Sequence, residues 1–418
     1  MDLHRNVKIR LLIVVLQMSS SSMIIPFMAI YFAKYYGSLI AGLILIVTVL
    51  GSIVSSLFGG YCSDKFGRKN ILVFGTALRF LSLLLMASAN IPGSEIPILS
   101  AIALLAINIS VGLQFPPLEA MVIDVTAPEI RKKVYTLLYW LNNCALVIGV
   151  FLGAFLHKKY FFLLILCTAA VNLLIFIMVR FLIVETATLS EKKTRLKSPL
   201  KSIASSYSLV FKDRTFLKFI LAVLMTMGLE KQLSKYVSVH LGTHFHTTSV
   251  WGWPINGVEM FGILRIENAV AVVLLALGIG YVLSKLKWAN TKQLYIGLAL
   301  FTCGYVVLAF SIHLWVLVAF MFILTVGEMM FIPVKNVLLA DIATEESRSQ
   351  YMAANGLSMR AGSLLSAVWL SLSPLLHTVG MAILYGLMGA AAIWLYAAIF
   401  RERRQMQEAE NNSISVNQ

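Results

Sequence analysis

Long apolar runs separated by short polar turns extend from one end of the sequence to the other. A helix needs about 20 apolar residues to cross roughly 30 Å of membrane hydrocarbon, and the runs have this length. Twelve runs are found, and each is predicted to form a transmembrane helix. Their midpoints lie near Ser20, Val49, Leu81, Ala106, Val147, Leu173, Met227, Val270, Phe301, Leu324, Leu364 and Gly389. The pattern therefore predicts an all-α integral membrane protein.

Composition agrees with this fold class and limits the partners. Of the 418 residues, 59% are hydrophobic and 13% are charged, which is far more apolar than a soluble domain. The net charge of +15 could indicate nucleic-acid binding, but the basic residues collect in short loops and form no patch interleaved with aromatic residues. We expect protons, membrane lipids and a lipophilic small molecule as partners, no nucleic acid, and a monomer.

Lysine and arginine fall mainly in alternate loops, with Lys158 and Lys159 as the exception. Cytoplasmic loops of membrane proteins carry such an excess of positive charge. The basic positions on the predicted cytoplasmic side are Arg5, Lys8, Arg10, Arg131, Lys132, Lys133, Lys285, Lys287, Lys292, Arg401, Arg403 and Arg404. This distribution predicts a multi-pass protein of the cell membrane with both termini in the cytoplasm. The first apolar run lacks a cleavage signal, so we expect it to remain as a helix.

A long polar and basic stretch divides the apolar runs six from six. The predicted domains are an N-terminal half at 1–184, a cytoplasmic linker at 185–214, a C-terminal half at 215–400 and a cytoplasmic tail at 401–418. Basic linkers of this kind are usually solvated, and some lie against acidic lipids.

An internal repeat supports this division. Four proline or charged positions near the end of the fourth predicted helix recur at the tenth with a constant separation of 217 residues. The pairs are Pro116 and Pro333, Asp124 and Asp341, Glu129 and Glu346, and Arg131 and Arg348. Because the offset joins helix four to helix ten, we expect two parallel six-helix halves, with substrate bound between them near the middle of the membrane.

The turn between the second and third predicted helices carries a distinctive charged motif, Gly60-Tyr-Cys-Ser-Asp64-Lys-Phe-Gly67-Arg68-Lys69. Gly60 is expected to let neighbouring helices approach closely, and Asp64 to sit against a helix N-terminus. The spacing resembles the same turn in the major facilitator superfamily of secondary transporters, where it latches the two halves together. The alternative is an ordinary positive-inside loop with an unrelated acid.

The resemblance extends this latch to a charged gate at the cytoplasmic ends of the helices. Asp124 is expected near Asp64 and Arg131, and the alternative for Asp124 is a salt bridge at a helix end without proton traffic. The predicted gate and latch residues are Gly60, Asp64, Gly67, Arg68, Lys69, Arg131, Asp341 and Arg348.

Acidic residues inside predicted helices are the candidates for proton coupling, because an ionised group in hydrocarbon costs about 2.5 to 3.5 kcal/mol. Glu328 lies near the middle of its apolar run, and its alternative is a structural pair with Lys335 or Arg360. Glu230 is followed by lysines that are expected to reach the outer membrane surface, so an interfacial ion pair is its alternative. The predicted proton-coupling residues are Glu328, Asp124, Glu230 and Glu119.

Polar and soft apolar side chains inside other runs indicate a substrate cavity. The predicted cavity residues are Ser20, Tyr139, Trp140, Asn142, Asn143, Met329, Met330 and Phe331. Methionine and aromatic groups beside an acid suit a lipophilic cation. The serines of the first run have tight helix packing as their alternative, and Gly149 and Gly153 form a predicted packing pair.

A closer resemblance is to the proton-coupled multidrug exporters of this superfamily. It is carried by Asp64–Lys69, by Ala120–Asp124 and by Gly327–Pro333. The resemblance implies export of lipophilic, often cationic compounds in exchange for protons, with Asp64, Asp124 and Glu328 at positions of functional acids. Two acids of the relatives are replaced by Leu138 and Ser234, and Glu230 or Glu119 could compensate for them.

Other classes of function find little support in the sequence. There is no Gly-rich phosphate loop for ATP and no nucleophile motif of an enzyme, and the four cysteines show neither disulfide nor metal spacing. We therefore expect no cofactor and no metal. The alternatives to drug export are a proton-coupled transporter of one metabolite and, more remotely, a non-transporting membrane sensor.

Overall fold

A computed structural model describes residues 4–126, 128–186, 213–250, 252–286, 288–342 and 348–416. The described chain is mainly helical. Its helices are α1 (Arg5–Ser22), α2 (Met28–Phe66), α3 (Arg68–Ser88), α4 (Pro97–Val125), α5 (Pro128–Phe181), α6 (Arg214–Glu230), α7 (Ser238–His244), α8 (Gly257–Leu286), α9 (Asn290–Leu308), α10 (Leu314–Ile342) and α11 (Arg348–Val416).

Shorter elements join some of these helices. A 3₁₀ turn at Ile25–Phe27 connects α1 to α2, and a π-helical turn at Leu233–Val237 connects α6 to α7. Between α7 and α8 the strands β1 (Thr248–Val250) and β2 (Trp253–Ile255) form an antiparallel hairpin. The sequence predicted helices alone. The hairpin was not predicted, because three-residue strands are too short to show alternation of apolar and polar positions.

Seven helical stretches among the described residues are long and apolar enough to cross a membrane. Three of them are long enough to hold two predicted midpoints each, namely Arg5–Ser63, Trp140–Phe181 and Ala354–Gln405. Every predicted midpoint lies inside a helix. The number of twelve spans and their arrangement in two halves stay predictions.

The two longest helices each break once. The backbone leaves helical geometry at Tyr160 in α5 and at His377 in α11, where φ is 56°. Both breaks lie between two predicted midpoints. Each of α5 and α11 thus consists of two consecutive helical segments that meet at the break.

The chain forms two compact units. Unit 1 consists of Met1–Pro199 with Leu241–Ala269, and unit 2 of Leu200–His240 with Val270–Gln418. In unit 1 a core cluster joins α1, α3, α4 and α5 through Ile13, Leu72, Met121, Ile175, Met178, Val179 and Ile183. In unit 2 large aromatic side chains are fully buried, among them Phe216, Phe219, Phe301, Tyr305, Tyr385 and Tyr396. The domain bounds drawn from the sequence stay a prediction.

Glycine allows the tightest helix contacts within each unit. In unit 1 a Cβ atom at Gly149 would lie 2.1 Å from the Ser19 carbonyl oxygen, and one at Gly153 would lie 2.5 Å from that of Met23. This confirms the predicted packing pair. In unit 2 a Cβ atom at Gly327 would lie 2.5 Å from the carbonyl oxygen of Gly297, so α9 and α10 meet backbone to backbone next to Glu328.

Large apolar side chains cover much of the helical surface. Leu81 is 60% exposed, Leu274 70% and Trp394 70%, and many leucine, isoleucine and phenylalanine side chains are similarly accessible. A water-soluble monomer rarely exposes so many large apolar side chains. The pattern fits helices whose backbone is satisfied internally and whose side chains face lipid.

Polar side chains cap the starts of several helices in the described chain, and the caps of α6 and α8 involve acidic residues. The Asp213 carboxylate accepts hydrogen bonds from the backbone N–H groups of Thr215 at 2.9 Å and Phe216 at 3.0 Å, at the start of α6. At the start of α8 the Asn256 side chain accepts from the Glu259 N–H at 3.1 Å, and Glu259 accepts from the Asn256 N–H at 2.8 Å. Both arrangements satisfy N–H groups that a helix leaves unpaired.

Candidate functional site

The charged motif of the sequence spans the end of α2 and the start of α3, and Gly67 is the residue between the two helices. Gly67 has φ of 91° and ψ of 145°, a backbone conformation that residues other than glycine seldom adopt. The Glu185 carboxylate, from the segment after α5, accepts hydrogen bonds from the backbone N–H groups of Arg68 at 3.2 Å and Lys69 at 2.9 Å. An anion thus sits at the positive N-terminus of α3.

Glu185 also limits the space at position 67, in addition to the constraint from the positive φ angle. A Cβ atom there would lie 2.7 Å from a Glu185 carboxylate oxygen. The sequence placed Glu185 at the start of the linker and gave it no role. The N–H groups that it binds at the start of α3 are main-chain groups, which leave no side-chain signal in a sequence.

The close helix approach in this region is made by Gly59 rather than by Gly60, which corrects the role predicted for Gly60. A Cβ atom at Gly59 would lie 2.6 Å from the Leu113 carbonyl oxygen on α4. At Gly60 the nearest such neighbour is the Pro116 side chain, at an ordinary 3.8 Å. The two glycines are adjacent, and one residue turns a helix by about 100°, so Gly59 meets the backbone of α4 while Gly60 meets only a side chain of that helix.

Asp124, at the end of α4, forms an ion pair with the Arg68 guanidinium at the start of α3. The arginine side chain is 17% exposed and the aspartate 29%. The sequence predicted that Asp124 would lie near Asp64 and Arg131, whose side chains are outside the described part of the chain. The latch between those two residues stays a prediction.

The equivalent acid of unit 2 is also paired. Asp341, near the end of α10, contacts the Arg403 guanidinium at 3.0 Å. The side chain of Arg348, the other predicted gate residue of this unit, is outside the described part of the chain. Both repeat-related aspartates thus hold an arginine, but the two arginines come from different positions in the repeat.

Glu119, a predicted proton-coupling residue, pairs with Arg10 of α1 at 2.7 Å. Arg10 also donates to the Leu118 carbonyl oxygen. The arginine side chain is 12% exposed. This contact ties the start of α1 to α4 within unit 1, and it gives the carboxylate a permanent positive partner.

The predicted cavity residues have different surroundings. Ser20 of α1 is buried, and its carbonyl oxygen accepts a hydrogen bond from Thr168 Oγ1 of α5 at 3.1 Å. Trp140 and Asn142 are exposed, and Asn143 is half-buried, whereas the Tyr139 side chain is outside the described part. Ser20 therefore takes part in helix packing, the alternative that the sequence left open.

The cavity residues predicted on α10 lie within unit 2. Phe331 is 1% exposed and stands edge to face against Phe301, with ring centroids 5.1 Å apart. Met330 is also buried, against Gly297 of α9, while Met329 is half-buried. Two of these three side chains thus contribute to the packed core beside Glu328.

Glu328 and Glu230 belong to one charged cluster in unit 2. Both acids are half-buried, and both interact electrostatically with the ammonium group of Lys335, which is 7% exposed. Glu230 also forms an ion pair with Lys231 at 2.6 Å. Lys335 follows Glu328 by seven residues, two helical turns along the same face of α10. The sequence offered Lys335 only as a structural partner of Glu328.

Lys235 has a different position from the one predicted. The sequence expected it to extend toward the outer membrane surface, but its side chain is buried. It donates to the carbonyl oxygen of Ser363, to Ser363 Oγ at 3.1 Å and to Ser366 Oγ at 2.7 Å, all on α11. The π-helical turn at Leu233–Val237 widens the helix here and changes the face on which Lys235 lies.

Arg79 is a buried charge that sequence analysis overlooked. It lies within α3 and is 5% exposed, and its Nη2 atom donates to Ser21 Oγ at 2.6 Å. None of the ion pairs among the described residues includes it. The signal was present, because any charge inside an apolar run is a candidate for function.

Comparison with known proteins agrees with the membrane fold. The sequence pattern of the Major Facilitator Superfamily matches residues 10–367. A Na(+), Li(+), K(+)/H(+) antiporter from Planococcus maritimus is 31% identical over 381 residues, 88% of this chain and 89% of that protein. The multidrug resistance protein MdtH of Yersinia enterocolitica is 25% identical over 350 residues, 82% of this chain and 80% of that protein.

Solved structures share the fold at low sequence identity. A POT family transporter in complex with 5-aminolevulinic acid has a TM-score of 0.73 and 14% identity, over 95% of both chains. A D-xylose-proton symporter has a TM-score of 0.69 and 15% identity, over 94% of this chain and 97% of the other. Family and fold both indicate a transporter rather than an enzyme. The chain belongs to the major facilitator superfamily.

Proposed function

We propose that this protein is a secondary antiporter that exchanges protons for cations through the carboxylate of Glu328. The observation that carries the proposal is the cluster of Glu328, Glu230 and Lys335 in unit 2, where two half-buried acids act on one buried lysine. Acids retained inside membrane helices are rare and usually functional.

A carboxylate at such a depth is stable when protonated and costly when ionised and alone. It releases its proton when a cation takes the proton's place, so the two compete for the same oxygens. This competition is the chemical requirement for antiport. The rigid contact of α10 with α9 at Gly327 holds the carboxylate in position while it changes partners.

Lys335 gives the cluster an internal counter-charge. Lys335 interacts with Glu230 and Glu328, and Glu230 has a second positive partner in Lys231. An ionised Glu328 is therefore less costly between turnovers than an isolated acid. A proton or cation that reaches Glu328 must compete with the attraction of this lysine, which keeps its binding reversible.

The direction that we propose is export in the cell membrane, by a monomer with both termini in the cytoplasm. The alternate basic loops of the sequence support this orientation. Protonation of Glu328 from the more acidic outside releases the cargo there. Deprotonation toward the cytoplasm prepares the site for the next cation.

The cargo best supported is a small monovalent metal cation. Met330 and Phe331 are packed in the core of unit 2, which leaves carboxylate oxygen as the main chemistry that Glu328 and its neighbours offer. Oxygen ligands suit hard cations. The relative named as a Na(+), Li(+), K(+)/H(+) antiporter supports the same cargo class.

A lipophilic organic cation is the second candidate. It is supported by the relatives named as multidrug resistance proteins and by the sequence around Gly327–Pro333. Half-buried Met329 would give such a cargo a soft apolar contact beside the acid. The two cargo classes differ in size and hydration, so one assay separates them.

The test uses the purified protein in vesicles with an imposed pH gradient. Proton movement is measured on addition of sodium, lithium, potassium or a lipophilic cationic dye. We expect exchange for at least one of these cations, and its loss in Glu328→Gln, because the amide cannot exchange a proton. The matched control is Glu95→Gln, which makes the same change at an exposed loop position and should retain wild-type exchange.

The results separate the candidates. Exchange with metal ions alone supports the first cargo, and exchange with the dye alone supports the second. If Glu328→Gln exchanges cations against their gradient as fast as the wild type, Glu328 is structural and the proposal fails. If no cation moves protons in the wild type, cation antiport itself is wrong.

A further inference from the structure

Three positively charged side chains are almost fully buried among the described residues. Arg79, Lys235 and Lys335 are 5%, 8% and 7% exposed. No acid in the described part of the chain is buried to this degree. A desolvated charge is unfavourable unless hydrogen bonds and an opposite charge compensate it. The three cations can therefore be compared by what surrounds each of them.

Two of the three have more partners than Arg79, hydrogen bonds for Lys235 and opposite charges for Lys335. Lys235 donates to three oxygen atoms of Ser363 and Ser366. Lys335 interacts with the charges of Glu230 and Glu328. Arg79 is compensated much less. Its single hydrogen bond among the described residues goes to the Ser21 hydroxyl oxygen, and its Nε–H is buried with no partner. Arginine cannot reduce the cost by losing its proton.

A second buried donor packs against α3 one helical turn before Arg79. Gln114 of α4 is 3% exposed, and its Nε2 atom has no partner. Gln114 packs on Gly75, where a Cβ atom would lie 3.3 Å from that nitrogen. Gly75 precedes Arg79 by four residues, and helical side chains lean toward the N-terminus of their helix, so the stem of Arg79 extends over the turn that contains Gly75.

We propose that Arg79 and Gln114 bind a small monovalent anion of the halide class in unit 1. The guanidinium Nε–H and the amide N–H₂ are donors only, and together they offer an anion hydrogen bonds and a permanent positive charge. A water molecule would satisfy the donors but would leave the charge uncompensated. A small anion fits best, because α1, α3 and α4 pack closely around this position. The site is independent of the cargo proposed for Glu328.

The experiment uses the full-length purified protein in detergent, with chloride replaced by gluconate at constant ionic strength and constant cation. Thermal unfolding and equilibrium binding of radioactive chloride are measured. We expect saturating chloride to raise the melting temperature by about 2 °C or more, because a ligand that binds only the folded state stabilises it. Arg79→Gln should lose both the shift and the bound chloride.

Arg180→Gln is the matched control, because it removes the same charge from an exposed arginine in α5 of the same unit. It should keep the chloride response of the wild type. An identical melting temperature of the wild type in chloride and gluconate, without bound chloride, overturns the proposal. Chloride binding retained in folded Arg79→Gln also overturns it, because the anion would then be held elsewhere.

If neither Arg79→Gln nor Arg79→Lys folds, Gln114→Met decides the matter. Methionine keeps the length of the side chain and removes the amide donor. We expect its chloride affinity to fall about tenfold, the usual effect of losing one hydrogen bond to a charged group. Unchanged chloride affinity in this variant overturns the proposal.

Discussion

Asp124 in unit 1 and Asp341 in unit 2 stand 217 residues apart, near the ends of α4 and α10, and each holds an arginine. The partner of Asp124 is Arg68, at the start of α3. The partner of Asp341 is Arg403, near the end of α11. The unit 1 pair is 17% and 29% exposed, and the unit 2 pair 33% and 48%.

A second pair of acids repeats the contrast. Glu185 and Glu402 are also 217 residues apart, each after the last apolar run of its half. Glu185 accepts from two backbone N–H groups of α3. Glu402 accepts from side chains, the Thr215 hydroxyl at 3.2 Å and the Lys218 ammonium group, both on α6.

Related sequence positions thus stabilise the two units in different ways. Contacts to backbone at a helix start fix both partners, because a helix cannot move its terminal N–H groups independently. Contacts between long, partly exposed side chains cost conformational entropy and are screened by salt. We infer that the contacts of Glu185 and Asp124 with the start of α3 form a rigid junction in unit 1. The corresponding contacts of Asp341 and Glu402 in unit 2 are more adjustable.

The largest expected effect comes from Gly67→Ala. The new Cβ atom would meet Glu185 at 2.7 Å, and φ at this position is 91°. We expect the free energy of unfolding to fall by about 3 kcal/mol, because such a backbone conformation is nearly restricted to glycine and the cap would be displaced. Thermal unfolding in detergent measures the loss.

Gly93→Ala is the control for this prediction. Gly93 has φ of 83°, but a Cβ atom there would meet nothing within 4 Å. It should therefore show only the backbone cost, about 1 to 2 kcal/mol. Equal losses in the two variants would mean that contact with Glu185 adds nothing at Gly67, and the junction would not be rigid for the reason given.

Apolar runs predicted the helices well, because a membrane helix must be apolar along its whole length and the signal is therefore direct. Each midpoint from Ser20 to Gly389 lies in a helix. The short hairpin between α7 and α8 was missed. The turn around Gly67 was recognised from its motif, but the partner Glu185 was not, because backbone contacts do not constrain the type of the neighbouring residue.

Charged residues were harder to place than helices. Lys235 was expected at the outer membrane surface, because lysine can extend its ammonium group to water there, but the chain forms a π-helical turn at this point and the side chain is buried. Arg79 was hidden inside a run that is otherwise apolar. Gly59 and Gly60 were indistinguishable until the helix facing them was known. In each case the missing information was an orientation set by tertiary packing.

The second prediction compares Glu185→Gln with Glu402→Gln. Loss of the Glu185 charge weakens two hydrogen bonds at the positive end of α3, and we expect a loss of about 1 to 2 kcal/mol in stability. Glu402→Gln removes a partly exposed pair and should cost below about 1 kcal/mol. Unfolding of both variants in the same detergent tests this. A larger loss in Glu402→Gln would reverse the assignment of the rigid end.

The smallest expected effect separates the two arginine pairs. Asp124→Asn should lower stability by about 1 kcal/mol and Asp341→Asn by roughly half of that, because the unit 2 pair is more exposed. Added salt should reduce the effect of Asp341→Asn more than that of Asp124→Asn, since screening acts most strongly on charges in contact with solvent. The measurement is thermal unfolding of wild type and variants at low and high salt. Equal salt dependence would show that both pairs are equally accessible, and the difference between the two ends would then rest on Glu185 alone.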